Sequence, residues 1–117
     1  MVIEEVIINY LNDQMSVPVY SQRPESNPNP GRLSFLVVQK VGGTRSNYLR
    51  HATIALQAYA DTHLAAARLI EEAIEKMDEI TVLNEISQAD LETGPYAFPL
   101  TATKQPRYQA VYAITHY

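Results

Sequence analysis

The chain has 117 residues, a size that suits one domain with a single hydrophobic core. Its composition, 46% hydrophobic and 19% charged, is typical of a globular protein, and no apolar run is long enough to predict a membrane-spanning helix. Cysteine is absent, which excludes disulfides and thiolate metal sites, and the net charge of −4 disfavours nucleic-acid binding.

The amino-terminal third predicts a helix, an edge strand and a loop. Residues 2–13 have apolar side chains at helical spacing, with two glutamates in the first turn, where the helix dipole favours negative charge. Apolar positions alternate in residues 17–21, and Pro18 cannot donate to a ladder, so we expect an edge strand. Residues 23–31 contain three prolines, two asparagines and a glycine, which predicts a proline-rich surface loop or arm. With no signal peptide at the amino terminus, we expect a cytoplasmic protein.

The middle of the chain predicts a strand, a turn, a strand and a long helix. Residues 33–41 are apolar on both alternating faces, which is typical of a central strand covered on both sides. Gly42 and Gly43 predict a tight hairpin turn, and the alternation in residues 48–60 predicts the second strand. The period then changes to about four, so residues 61–79 predict a helix packed on the sheet. Its apolar stripe comprises Ala66, Leu69, Ile70, Ala73, Ile74 and Met77.

The last third predicts two further strands. One is placed at residues 85–91, and residues 107–117 alternate clearly enough to define the other. The stretch between them is broken by prolines and predicts a strand fragment or an extended loop. The whole chain, residues 1–117, is therefore expected to be a single α+β domain, with one mixed, largely antiparallel sheet of four to five strands and two helices packed against it.

Charge is distributed unevenly along the chain. It sums to −3 over residues 1–16, +4 over residues 17–60, −7 over residues 61–92 and +2 over residues 93–117. Many of the acids lie in the last turns of the predicted long helix, where the dipole disfavours them, so they cost stability unless something offsets them.

Two interpretations of this charge pattern are open from the sequence. The acids form a solvated helix face, or they meet the basic hairpin or loop of a neighbouring subunit. The last contact is head to tail and closes into a ring when the rotation permits. The interface candidates are Arg23, Arg32, Arg45, Asn47, Arg50, Glu71, Glu72, Glu75, Asp78 and Glu79.

No catalytic, cofactor or metal site is predicted. His51, His63 and His116 lack metal-ligand spacing, and no serine lies in a nucleophile-elbow context. Residues 42–45 follow a strand but lack a complete phosphate-binding fingerprint. The eight tyrosines are expected to pack at the sheet or an interface. We therefore expect a protein that is not an enzyme.

Several pieces of the sequence occur in an order that resembles the tail-terminator (tail-completion) proteins of long-tailed bacteriophages and related minor tail and head-to-tail joining proteins. In many of these proteins a strand ends in a V-G-G-x-R turn, an apolar strand and an alanine-rich helix follow, and a late G-P-Y-x-F-P segment leads to an R-Y-Q-A strand. The matching pieces are Val41 to Arg45, Ala52 to Tyr59, Leu64 to Met77, Gly94 to Pro99 and Arg107 to Ala110.

The resemblance implies a non-enzymatic virion structural protein that forms a ring, commonly a hexamer, at the head-proximal end of the tail tube. Such a ring stops tube polymerisation and provides the surface on which the filled head docks. It implies contacts with other copies of the chain, the tail tube protein and head–tail connector proteins, with DNA passing through the lumen without specific binding. In such a ring the acidic helix either lines the lumen, where it would repel DNA phosphates, or faces the neighbouring subunit. Assembly would take place in the cytoplasm of the host bacterium. Residues 23–31 and 42–47 are the expected contacts with the tube or neck.

Two alternative functions are open at this point. One is another head–tail connector or neck completion protein, which would share the ring-forming character but dock to a different partner. The other is a small cytoplasmic ligand-binding or enzyme domain, which would need a concave pocket with converging polar groups.

Overall fold

The computed structural model describes residues 2–22, 34–46, 49–97 and 106–117. These residues form one five-stranded mixed sheet with two helices, which confirms the predicted α+β class and the predicted order of elements. In chain order the elements are α1 (Ile3–Gln14), β1 (Val19–Tyr20), β2 (Phe35–Ser46), β3 (Leu49–Tyr59), α2 (His63–Met77), a short 3-10 helix (Ile80–Val82), β4 (Ile86–Ala97) and β5 (Arg107–His116).

The strands lie in the order β1-β2-β3-β5-β4, so β3 is the central strand. We expected β2 to be central because its apolar run is covered on both faces; it is an inner strand, paired with β1 on one edge and with β3 on the other, but it lies second in the order. The edge strand β1 is confirmed, but it pairs parallel with β2 and only at Leu36 and Val37. Among the described residues, the later part of β2 therefore has an unpaired outer edge. All other pairings in the sheet are antiparallel.

The predicted turn at Gly42 and Gly43 is also wrong, because β2 continues through both glycines to Ser46. The pairing with β3 shifts by one residue between Lys40 and Gly42, which makes a β-bulge. Glycine is needed here for close approach: a Cβ on Gly43 would lie 2.8 Å from the carbonyl oxygen of His51. Consecutive glycines are common in both turns and bulges, so the sequence signal was ambiguous.

Both helices contribute to one hydrophobic core on the same face of the sheet. Helix α2 begins after Thr62, whose hydroxyl accepts a hydrogen bond from the Ala65 amide at 3.0 Å, as expected for an N-cap. The predicted stripe is confirmed, with Ile74 half-buried at its margin. Helix α1 buries a similar stripe. The core under the helices comprises Leu36 and Val38 of β2, Ile54, Leu56 and Ala58 of β3, and Ala110, Tyr112 and Ile114 of β5.

A second, smaller cluster lies on the opposite face of the sheet. Phe35 and Tyr59 stack with their ring centroids 4.6 Å apart, and Tyr20 meets Phe35 edge-on. Val37 completes this cluster and is fully buried. At the end of β3 this second face is also closed to solvent, since Gln57 and Tyr59 are both buried.

The remaining sequence predictions have mixed outcomes. The strand expected at residues 85–91 is longer than predicted, since β4 extends to Ala97 and includes Gly94 and Pro95. The strand at 107–117 is confirmed as β5. The predicted loop at residues 23–31 and the stretch at 98–105 lie outside the described residues.

Candidate interaction surfaces

Two of the predicted basic residues come together at the end of the β2–β3 hairpin. Arg45 and Arg50 lie directly opposite each other in the ladder. Lys40 is exposed on the same strand as Arg45. Its side chain extends over Gly43, so that a Cβ at that position would lie 3.0 Å from the Lys40 Cε. Lys40 and Arg45 form a basic margin of the sheet on β2, and Arg50 extends the positive charge onto the central strand β3. The other predicted contacts, Arg23, Arg32 and Asn47, lie outside the described residues.

The predicted acidic residues of α2 do not form a single face. The hydroxyl of Tyr10 in α1 donates to the Lys76 carbonyl oxygen at 2.8 Å, so this flank of α2 faces α1. Burial, and then the charge of Glu79, raise the pKa of Tyr10, which places Glu79 on the same flank. Helical spacing puts Glu72 there as well.

Glu71 and Asp78 lie on the opposite flank of α2, above β5 and β4. Burial raises the pKa of Tyr112, and the negative charges of Asp78 and Glu71 raise it further. Tyr112 is paired with Leu91 of the edge strand β4. Glu75 points away from the sheet between the two flanks, on the exposed side of the helix. The acidic cluster expected from the sequence is thus divided by the helix.

Strand β4 adds acids that the sequence prediction did not include. Asp90 and Glu92 are exposed on this outer strand, and Glu85 immediately precedes it. Together with Glu71 and Asp78 they form an acidic margin of the sheet, at the opposite end of the strand order from the basic margin. Their charge was visible in the sequence, but their position depends on the strand order, which is not a local property.

Each margin also exposes one large apolar side chain. Val41 at the β2 bulge is 60% exposed, and Leu91 of β4 is 41% exposed. Single exposed apolar residues are common on protein surfaces. Val41 lies in the part of β2 beyond its short pairing with β1, and Leu91 lies on the outer strand β4, so at these positions neither outer edge has a partner strand among the described residues.

A polar network on the helix-free face joins three strands. Arg107 donates to the Tyr59 hydroxyl at 3.0 Å, Tyr59 donates to Gln57 at 3.2 Å, and Gln57 donates to Gln109 at 2.8 Å. Gln109 in turn donates to the Tyr96 hydroxyl. Because Gln57 and Tyr59 are buried, this network helps to hold β3, β5 and β4 in register.

Two buried polar atoms, the Tyr112 hydroxyl and His116 Nε2, have no hydrogen-bond partner in the described part of the protein. The Nδ1 of His116 donates to the Tyr117 carbonyl oxygen at 3.2 Å. Burial lowers the pKa of His116, and the positive charges of Arg50, Lys40 and His51 lower it further, against the opposing effect of the backbone hydrogen bond. His116 is therefore neutral in the folded protein at neutral pH.

We expect the protein to lose stability as the pH falls below about 6.5, the ordinary histidine value. The unfolded chain then binds a proton that folded His116 resists, so protonation favours unfolding by up to about 1.4 kcal/mol per pH unit. Urea unfolding at pH 7.5, 6.5 and 5.5 measures this loss. In His116→Phe the free energy of unfolding should depend less steeply on pH. An unchanged dependence would assign the loss of stability to other groups.

Comparisons with known proteins find no matching family and no curated relative. No helix in the described part of the chain is long and apolar enough to cross a membrane. Nor do three or more His, Asp or Glu side chains within residues 2–22, 34–46, 49–97 and 106–117 come together as a metal site. The features that suggest a function are therefore the two charged margins of the sheet.

Proposed function

We propose that the chain is a non-enzymatic structural protein of a long-tailed bacteriophage, a tail terminator that forms a ring, commonly a hexamer, at the head-proximal end of the tail tube. The observation that supports this proposal is the opposite charge of the two margins. Lys40 and Arg45 lie on β2, near one end of the strand order, and Arg50 lies beside Arg45 on the central strand β3. The acids of β4 lie at the other end of the order, with those of α2 near them.

A cyclic ring requires two different, complementary surfaces on each subunit. A protein with one basic and one acidic margin meets this requirement, because the basic margin of one copy attracts the acidic margin of the next. Copies that present the same margin to each other repel. The charge distribution therefore favours head-to-tail association over a symmetric dimer.

In the proposed virion, the ring would stop polymerisation of the tail tube protein and offer its other side to the head–tail connector proteins. DNA would pass through the lumen without specific binding, in keeping with the negative net charge of the chain. Exposed residues away from the margins, such as Val82, are then available for contacts with the tube or the connector.

Light scattering over a range of protein and salt concentrations tests the ring. We expect a species several times the 13.2 kDa mass of the chain, and we expect salt to dissociate it, because screening weakens contacts between exposed charges. A second assay adds the protein to the polymerising tail tube protein of the same phage and measures tube length by electron microscopy. Shorter, capped tubes are expected; a monomer that leaves tube length unchanged would refute the proposal.

A further inference from the structure

We infer that neighbouring copies of this chain join edge to edge, with β4 of one copy pairing antiparallel with residues 39–46 of β2 in the next. The inference rests on the proposed ring and identifies its contact. It assigns the acidic partner mainly to the edge strand β4, whereas the sequence pointed to the exposed surface of α2. The partner is a second copy of this chain.

Strand direction permits this contact. Strands β2, β3, β5 and β4 follow one another across the sheet with antiparallel pairing at each step, so β2 and β4 run in opposite directions. All subunits of a cyclic ring have the same orientation relative to its axis. Placing β4 of one copy beside β2 of the next therefore gives an antiparallel pair, and the helices of all copies remain on the same side of the extended sheet.

The regular parts of the two edge strands lie in the same rows of the sheet, where a row is the set of residues paired directly opposite one another across β2, β3, β5 and β4. Gly42 and Asp90 share one row through Thr53 and Ala113. Two further rows join Gly43 to Ala89 and Thr44 to Gln88. In both strands these three positions are paired without interruption, whereas bulges interrupt the pairing elsewhere. Without a shift along the strands, the two regular segments meet.

Charge and side-chain size complement each other in this register. Lys40 and Leu91 lie in the same row, so Lys40 of the next copy would face Leu91 of the first copy. The residues on either side of Leu91 are the acids Asp90 and Glu92. Helix α2 adds Glu71 and Asp78 on the same margin. The glycines at residues 42–43 have no side chains to keep the incoming strand away, and Val41 and Leu91 lose exposed apolar surface on contact.

The edges are also protected against indiscriminate pairing. Bulges and charged residues on outer strands discourage contact with unrelated strands. Here β2 has a bulge beside Lys40, and β4 has three irregularities in its ladder. Only a partner with complementary charges and matching regular segments fits, and another copy of the chain provides both.

Charge reversal tests the contact, with association measured by light scattering. The variant Lys40→Glu/Arg45→Glu reverses the charge of the β2 edge strand, and Asp90→Lys/Glu92→Lys reverses the charge of the facing segment of β4. We expect each alone to associate at least tenfold more weakly than the unmodified protein. Mixing the two should restore the oligomer, because each reversed segment then faces one of opposite charge. Circular dichroism checks that each variant is folded.

The matched control is Glu72→Lys/Glu75→Lys, which makes the same change in net charge as Asp90→Lys/Glu92→Lys, but on the exposed surface of α2. We expect it to associate like the unmodified protein. If this control loses association while the edge variants keep it, the helix is the contact and the edge inference is wrong. If all four proteins remain monomers under every condition, both the edge contact and the solution ring are refuted.

A disulfide test reports the register directly, since the chain contains no cysteine. Thr44→Cys/Gln88→Cys places two exposed thiols in one row, on the helix-free face of neighbouring copies. Mild oxidation should then give a ladder of covalent oligomers. The control variant Thr44→Cys/Glu72→Cys should form at most a small fraction of that amount of crosslinked oligomer. A ring of correct mass without crosslinks in the first variant would overturn the edge inference but leave the proposed function standing.

Discussion

Replacing Val37 with aspartate is expected to leave the chain unfolded. Val37 has no exposed surface and packs with Phe35 and Tyr59 on the helix-free face of the sheet. A buried carboxylate without a partner costs several kcal/mol, comparable with the total stability of about 5–15 kcal/mol of a small domain. Circular dichroism and thermal unfolding of the purified variant measure the effect.

The control is the same substitution four residues later on the same strand. Val41 is 60% exposed at the β2 bulge, so the free energy of unfolding of Val41→Asp should lie within about 0.5 kcal/mol of that of the unmodified protein. Comparing the two variants separates burial from any general intolerance of β2 to negative charge. A folded, cooperatively melting Val37→Asp would contradict the assignment of Val37 to a packed cluster.

Local patterns were sufficient to predict most of the secondary structure. The stripe of α2 repeats at three and four residues, and Thr62 marks its start with a side-chain cap. The alternation in residues 107–117 likewise predicts β5, whose alternate residues from Ala110 to His116 are buried. In both cases the signal comes from residues that are neighbours in the chain, so one sequence is enough.

The sheet order was harder to predict because it depends on contacts between distant residues. The run at residues 35–38 is buried on both faces, which suggested a central strand, yet β3 occupies the centre. One face of that run contacts the main core and the other belongs to the smaller cluster around Tyr59. This run also has partner strands on both edges, because β1 pairs with Leu36 and Val37 and β3 pairs along the other edge. Burial on both faces therefore indicated an inner strand but not its place in the strand order.

The same limitation affected the candidate surface. Counting charges located the basic and acidic segments, and Arg45 and Arg50 indeed lie together. The sequence did not show that Glu79 lies near Tyr10 while Asp78 lies near Tyr112, or that Asp90 lies on an outer strand. The charge of each side chain is fixed by the sequence, but which charges share a surface is decided by the sheet.

We also expect Gly94→Ala to destabilise the protein by about 2–4 kcal/mol. Gly94 has φ near +101°, a conformation that side-chain-bearing residues rarely adopt. An added Cβ would also lie 2.7 Å from the Gln109 carbonyl oxygen and 3.0 Å from the Ala110 Cα, and backbone atoms of a paired strand cannot easily move away. The free energy of unfolding in urea measures the loss.

Gly42→Ala is the matched control, because both glycines lie within strands at the two margins of the sheet. A Cβ on Gly42 would meet only Thr53, at 3.9 Å, which is an ordinary van der Waals contact. Since glycine in a strand costs roughly 0.5–1 kcal/mol relative to alanine, this variant should be neutral or slightly more stable. Equal losses in both variants would mean that the backbone at Gly94 is not constrained as described. A loss confined to Gly94→Ala would show that the β4 margin is held in one conformation, as edge-to-edge contact between copies requires.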